Sequence, residues 1–372
     1  MGLHKRGGKS TEQRMTEAHV SAGVETSQEL LAATDLRYVS GTEPGYCRRR
    51  SGRGFTYLDP TGARVRDPEL RARFQALAIP PAWQEVWICA DPRGHIQATG
   101  RDDAGRKQYI YHPDWETVRE QTKFTRLLAF GEALPGLRVQ VETDLRTRGL
   151  TRTKVLALVV RLLELTLIRV GNPEYERQNQ TYGLTTLLDD HVDVNGGEIV
   201  FEFRGKSGKE HEIVINDRRL ARLVKACQEL PGQRLFQYRD EEGTIRAVDS
   251  GAVNEYLRTV TGSEFTAKEF RTWGATVHTL HLLRQYGPAE SETACARQVA
   301  AAIKEVAAAL GNTPAVCRQH YVHPAVVEAY SQGMLEEICS QAESHTPESP
   351  YALQHEEAAV FKLLRHRQLN PP

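Results

Sequence analysis

No two of the six cysteines, Cys47, Cys89, Cys227, Cys295, Cys317 and Cys339, form a C-x-x-C pair. Such spacing offers neither a zinc module nor a disulfide framework, and a reducing compartment fits best. No apolar run reaches the roughly 20 residues of a membrane helix, and the N-terminus has no apolar signal segment. A cytoplasmic protein with no membrane partner is therefore expected. Net charge of either sign is missing as well, since 48 Lys and Arg face 48 Asp and Glu. Such a balance counts at first against nucleic acid, whose phosphates require positive potential. There is no phosphate loop: Gly205-Lys206-Ser207 lacks the preceding glycine, and strand-like residues flank it on both sides. Metal ligation is poorly served too. His278-x-x-His281 and His320-x-x-His323 have no evident carboxylate or cysteine partner, and Asp189-Asp190-His191-Val192-Asp193 reads as a polar turn before Asn195-Gly196-Gly197. Neither a metal nor a cofactor is expected.

What is present is a chain of 372 residues, 40% hydrophobic, long enough for two or three domains with a substantial core. Its charge is uneven. From Asp35 to Arg73 nine Arg face five acidic residues, with Arg48-Arg49-Arg50 at the centre, whereas Leu335 to Glu357 holds six Glu and no Lys or Arg. An acidic tail thus offsets a basic body, and the zero average conceals a surface suited to DNA.

Residues 1–28 lack apolar periodicity and are expected to form a disordered tail. Residues 29–114 alternate short apolar runs with turns such as Asp59-Pro60-Thr61-Gly62 and Asp91-Pro92-Arg93-Gly94, which predicts a small β-rich domain with one short helix from Pro68 to Ala78. Its last strand carries Lys107, Tyr109 and Tyr111 on one face and Arg106, Gln108 and Ile110 on the other. Such a strand is either a nucleic-acid face or a solvated edge with two half-buried tyrosines. Residues 115–345 become mostly helical. Thr151 to Val170 is apolar nearly all round and predicts a central buried helix, at whose end Arg169 is either a surface residue suited to the helix dipole or a buried cation facing an anion. Glu198 to Val214 reads as a hairpin whose turn presents Lys206. Thr266 and Glu269 form a capping box for the next helix, with Arg271 one turn beyond Lys268. Residues 346–372 read as a polar, loosely held tail. The fold class is α+β: a small β-rich N-terminal domain, then a larger helical domain carrying a small sheet or hairpin.

One stretch organises the remainder. A long Ala-rich helical run, Ser291 to Leu310, stops at Gly311; Pro314 prevents its continuation, and Tyr321 follows beside Arg318 and His320. A phenol is thereby expected in polar, cationic company, with Arg169, Lys206, Arg271 and Asn312 upstream of it.

In this order the motifs resemble those of the poxvirus-type bacterial topoisomerases of type IB. The resemblance runs from about Arg37 to Gly333 and rests on Ile79-Pro80-Pro81-Ala82-Trp83, Gly105-Arg106-Lys107-Gln108-Tyr109, Ile168-Arg169-Val170-Gly171-Asn172, Phe203-Arg204-Gly205-Lys206, Lys268-x-x-Arg271-Thr272 and Asn312-Thr313-Pro314 through Tyr321. It implies relaxation of supercoiled duplex DNA without ATP or metal, through a 3′-phosphotyrosyl link to Tyr321. It further implies that Arg169 and Arg271 hold the phosphate and that Lys206 protonates the departing 5′-oxygen. Asn312 stands where the viral relatives have His, and an amide there donates a hydrogen bond but no proton. Arg106, Gln108, Tyr109, Tyr111, Lys268 and Tyr175 are carried over as DNA contacts, and a monomer closing as a clamp on nucleoid DNA is expected. Two alternatives stay open: a tyrosine site-specific recombinase, and a DNA-binding clamp without chemistry.

Overall fold

Turn chemistry organises the N-terminal part, in which Asp59 accepts from the backbone of Thr61 and Ala63 and thereby closes the turn between them. The structure, a computed structural model, describes residues 35–39, 43–52, 54–103, 105, 107–344 and 347–369. The expected tail 1–28 and Arg106 lie outside the described residues. The chain divides into two units, Met1–Lys123 and Phe124–Pro372.

In the first unit, β1 (Tyr46–Ser51), β2 (Gly54–Leu58), α1 (Pro68–Ala76), β3 (Gln84–Ile88), β4 (Ile96–Arg101) and β5 (Lys107–Tyr111) follow one another. The strands form one antiparallel sheet in the order β2-β1-β3-β4-β5. Asp67 caps α1 by accepting from the backbone of Glu69 and Leu70, and Pro68 supplies the preset first helical φ. Phe74 of that helix fills the core with Ile79, Val86, Ile88 and Ala98. The basic run is not all surface. Arg48 is only 9% exposed, and its guanidinium donates to the carbonyls of Ile79, Pro80 and Trp83 at 2.8, 2.8 and 3.0 Å. Arg49 and Arg50 are exposed.

α2 (Pro113–Leu145) begins in the first unit and ends in the second. Then come α3 (Arg152–Thr166), α4 (Pro173–Asn179), β6 (Val192–Asn195), β7 (Glu198–Arg204), β8 (Glu210–Asn216) and α5 (Arg218–Gln228). A two-stranded ribbon, β9 (Gln237–Arg239) and β10 (Ile245–Ala247), precedes α6 (Ser250–Thr261), α7 (Ala267–Tyr286), α8 (Glu292–Ala309), α9 (Pro314–His320), α10 (Pro324–Ser331), α11 (Leu335–Glu343) and α12 (His355–Leu369). α3 is the centre of the core, with Val155, Leu156, Leu158, Val159, Leu162 and Leu163 all fully or nearly fully buried. The architecture is α+β, as expected from the sequence.

Three local expectations are corrected. The buried helix ends at Thr166 and not Val170, because Leu167 adopts a left-handed conformation (φ 55°) and the Thr166 hydroxyl donates to the Leu162 carbonyl at 2.6 Å. Arg169 therefore lies beyond the helix, outside its dipole. The expected hairpin is present as β7 and β8 but does not stand alone: the polar turn at Asp189–His191 leads directly into β6, which completes a three-stranded sheet in the order β6-β7-β8.

The third correction concerns the C-terminus. The segment read as a loose polar tail forms α12, whose Ala359, Val360, Leu363 and Leu364 are buried. Glutamates of α11 and α12 neutralise arginines of the body. Glu357 pairs with Arg138 at 2.6 Å and accepts from the Trp273 indole at 3.1 Å, while Glu343 pairs with Arg284 at 2.6 Å. Burial alone would raise the Glu357 carboxyl, but the Arg138 guanidinium holds it below the usual carboxylate range. Such a depressed group stabilises the fold above the unfolded carboxylate value of about 4.3, and that stabilisation is lost as pH falls through the lower folded value. Glu357→Ala should therefore cost about 2 kcal/mol at neutral pH, because Arg138 keeps Glu164 at 2.6 Å but loses its second buried carboxylate. Chemical denaturation across pH checks this, and the gap to wild type should narrow in acid.

Candidate active site

The loop after α3 is held by backbone pairing. The Leu184 and Thr185 amides donate to the carbonyls of Arg169 and Val170 at 2.8 and 2.7 Å. The two strands of this loop touch so closely that a Cβ on Gly183 would lie 2.5 Å from the Gly171 nitrogen and 2.6 Å from the Arg169 carbonyl oxygen. Position 183 is thus open only to glycine, and the backbone of Arg169 has little freedom. Its side chain is half-buried and donates to the Asn312 side-chain oxygen.

Lys206 projects from the β7–β8 turn, in which Ser207 and Gly208 both take positive φ and the Gly205 amide donates to the Lys209 carbonyl at 2.7 Å. That turn is tied to the segment after α8, because Lys209 Nζ donates to the Asn312 backbone carbonyl at 2.9 Å. Gly311 ends α8 with φ 61°, and the Asn312 amide closes back onto the Ala307 carbonyl at 2.8 Å. Since the Arg169 guanidinium can only donate, the Asn312 side-chain oxygen must face it, and the amide nitrogen must point elsewhere. That nitrogen is buried and has no partner among the described residues.

α7 begins at the expected capping box, with the Thr266 amide donating to Glu269 at 2.9 Å. One turn on, Arg271 is 4% exposed, and its two terminal nitrogens donate to the carbonyls of Leu167 and Leu310, the latter at 2.8 Å. Its Nε is a second buried donor without a partner among the described residues. Burial, reinforced by the neighbouring Arg169 charge, lowers the Arg271 pKa to about 10, so it remains a cation at neutral pH.

Tyr321 follows α9 and is half-buried. Its carbonyl accepts from the Thr276 hydroxyl at 3.2 Å, and the Arg271 guanidinium carbon stands 5.2 Å from the ring centroid. The cationic company is thus supplied by α7 and the Arg169 loop. Burial pushes the phenol up, but Arg271, then Arg169 and Lys268, outweigh it and hold Tyr321 below its ordinary value. Five side chains from five separate segments are brought together: Arg169, Lys206 and Arg271 line one cavity, Asn312 bonds to Arg169, and Tyr321 lies beside Arg271. Such a cluster can hold an anion between guanidiniums, donate to it from two unpaired N–H groups, and attack it with an activated phenol.

Residues 112–346 match the family described as "Eukaryotic DNA topoisomerase I, catalytic core", and residues 54–102 match "Bacterial DNA topoisomerase IB, N-terminal domain". The protein named DNA topoisomerase 1B from Acanthamoeba polyphaga mimivirus is 35% identical over 297 residues, covering 77% of this chain and 87% of its own. The chain belongs to the type IB DNA topoisomerase family. The DNA topoisomerase 1B of Vaccinia virus (strain Copenhagen) is 23% identical over 256 residues, covering 66% of this chain and 75% of its own.

In this topoisomerase, the residues carried over as DNA contacts are spread over both units. Tyr109 and Tyr111 share a face of β5 as the alternation predicts, their rings stacked at 5.9 Å, and Tyr109 is 42% exposed. Gln108 donates to Asp102 at 2.8 Å. Lys268 is exposed on the first turn of α7. Tyr175 lies in α4, with its side chain outside what is described. Arg106 is likewise outside. Sequence reasoning missed two site residues, Lys209 and His211. The strand register pairs His211 with Phe203, and the rings stack at 5.0 Å. That register was the available signal, because it turns His211 toward the face from which Lys206 emerges.

Proposed function

We propose that this topoisomerase relaxes supercoiled duplex DNA by transient cleavage of one strand at the cluster around Tyr321. The phenol oxygen bonds to phosphorus while the bond from phosphorus to the 5′-oxygen breaks. The phenol proton is lost on attack, and Lys206 gives a proton to the departing 5′-oxygen. The link is a 3′-phosphotyrosyl ester; the free strand rotates, and the 5′-hydroxyl then reverses the attack. Bond energy is kept in the ester, so no ATP is required. Arg169, Arg271 and Asn312 hold the non-bridging oxygens as charge builds on the phosphorane, and the chain needs no divalent ion as a further clamp. The observation that carries this reading is the pair of buried, unpaired N–H donors, Arg271 Nε and Asn312 Nδ2, beside a phenol whose pKa is held down. Donors of this kind are costly unless an acceptor arrives, and a phosphate supplies several.

One copy of the chain suffices on this reading, with Tyr109, Tyr111, Gln108 and Arg106 engaging the duplex from the first unit and Lys268 and Tyr175 from the second, as a clamp. Among the described residues no helix is long and apolar enough to cross a membrane, and the proposed place of action is cytoplasmic DNA. The test is plasmid relaxation in EDTA without ATP, followed by addition of denaturant during turnover. Supercoils should be lost in small steps, and protein should be trapped on 3′ ends. Attachment to 5′ ends, or joining of two specific sites without relaxation, would overturn the mechanism in favour of another.

A further inference from the structure

His211 belongs to none of the roles assigned above, yet it stands where two parts of the site meet. It lies on β8, stacked on its cross-strand partner Phe203 with 12° between the ring planes. The ring fills the space left by two glycines. A Cβ on Gly205, the residue before Lys206, would lie 2.6 Å from its Cδ2 and Nε2; one on Gly311, the residue before Asn312, would lie 2.5 Å from its Cε1. A flat five-membered ring is thus sandwiched between the turn that carries Lys206 and the turn that carries Asn312. Its edge lines the same cavity as Arg169, Lys206 and Arg271. The only other tie between these turns described above is the bond from Lys209 to the Asn312 carbonyl.

We infer that His211 is a positioning residue that spaces the Lys206 turn from the Gly311–Asn312 turn, so that the proton donor faces the phosphate held by Asn312 and the two arginines. The chemistry suits a neutral spacer. Arg169, Arg271 and Lys209 surround the ring, and Glu210 is the facing acid; burial and those three cations keep the imidazole unprotonated, so it fills space without adding a fourth positive charge. An aliphatic side chain would lose the stacking on Phe203, and a six-membered ring would collide with the two glycine backbones. This assignment rests on Lys206 being the proton donor.

The test compares two duplexes carrying the same mapped cleavage site, one with an ordinary phosphodiester and one with sulfur in place of the bridging 5′-oxygen. An alkyl thiolate leaves without protonation because its conjugate acid has a pKa near 8.5, far below that of an alcohol. Single-turnover cleavage is measured for wild type, H211A, H211Q and K206A, and each protein is scored by its ratio of sulfur to oxygen rates. That ratio is unaffected by the fraction of protein that is folded, so a destabilised variant still reports. A spacer shifted by about 1 Å should slow H211A cleavage of the oxygen substrate roughly 10- to 100-fold, with the sulfur substrate cleaved at nearly the wild-type rate. K206A should raise the ratio further, and H211Q, which keeps a planar side chain against Phe203, should fall between H211A and wild type. If K206A raises the ratio while H211A and H211Q keep the wild-type value, His211 does not position the donor and the inference fails. If K206A also keeps the wild-type ratio, Lys206 is not the donor, and the inference falls with that assignment.

Discussion

Tyr321→Phe is expected to abolish plasmid relaxation and the denaturant-trapped adduct together, while leaving DNA affinity and thermal stability near wild type. The substitution removes one oxygen and no packing, since the ring that contacts the core and lies 5.2 Å from the Arg271 guanidinium carbon is retained. Among the described tyrosines, Tyr182 also lines the cavity, but its ring packs edge-on against His191 at 4.3 Å. Tyr330, the next tyrosine in the chain after Tyr321, has its hydroxyl engaged by the Gly287 carbonyl at 2.8 Å and the Gln298 side chain at 2.9 Å. The wild-type pH profile supplies a second measurement. Because Arg271, Arg169 and Lys268 lower the phenol against the upward push of burial, cleavage should rise with pH and level off below the ordinary tyrosine value of about 10. An adduct that persists in Tyr321→Phe would remove the nucleophile from the mechanism.

Arg271→Ala should slow single-turnover cleavage by roughly 10³- to 10⁵-fold, the range an arginine supplies when it stabilises a transferring phosphoryl group. Two further consequences distinguish this residue from a bystander. Loss of the largest charge acting on Tyr321 should move the pH profile of the residual activity upward. Loss of the donors to Leu167 and Leu310 should also lower the denaturation midpoint, because it leaves two carbonyls that the guanidinium now satisfies. Arg271→Lys is not expected to restore the rate. A lysine lacks the planar fork needed to reach both carbonyls while pointing a third donor at the site, and a buried ammonium beside Arg169 would tend to lose its proton. Cleavage by Arg271→Ala within about 10-fold of wild type would remove Arg271 from phosphate stabilisation.

Both variants concern residues whose types and order were legible in the chain, and the elements carrying them show where legibility ended. The capping box at Thr266, the left-handed Gly311 and the alternation that stacks Tyr109 on Tyr111 all arise from contacts within a few residues. Local chemistry encodes such features directly. The end of α3 was misplaced because the apolar periodicity runs on through Leu167 and Ile168, while the stop depends on a threonine back-bond and a left-handed leucine that tertiary packing stabilises. α12 was overlooked because its apolar face is short and set among charges. Its Glu357 gains its meaning from Arg138, which lies 219 positions earlier.

By itself the sequence determined the α+β class and caps such as those at Thr266 and Gly311, because each depends on residues within about one or two turns of one another, and the order of its motifs carried the resemblance that singled out the five candidate side chains. Tertiary structure alone decided that Arg169 meets Asn312 across 143 positions, that one arginine of the basic run is structural, and that His211 sits between the turns that carry Lys206 and Asn312. The physical reason is that a convergent site is set by how helices and a small sheet close over a shared core. The cost of burying Arg271 and the two unpaired donors is offset by packing that spans the whole C-terminal unit, and no local stretch of sequence contains that information.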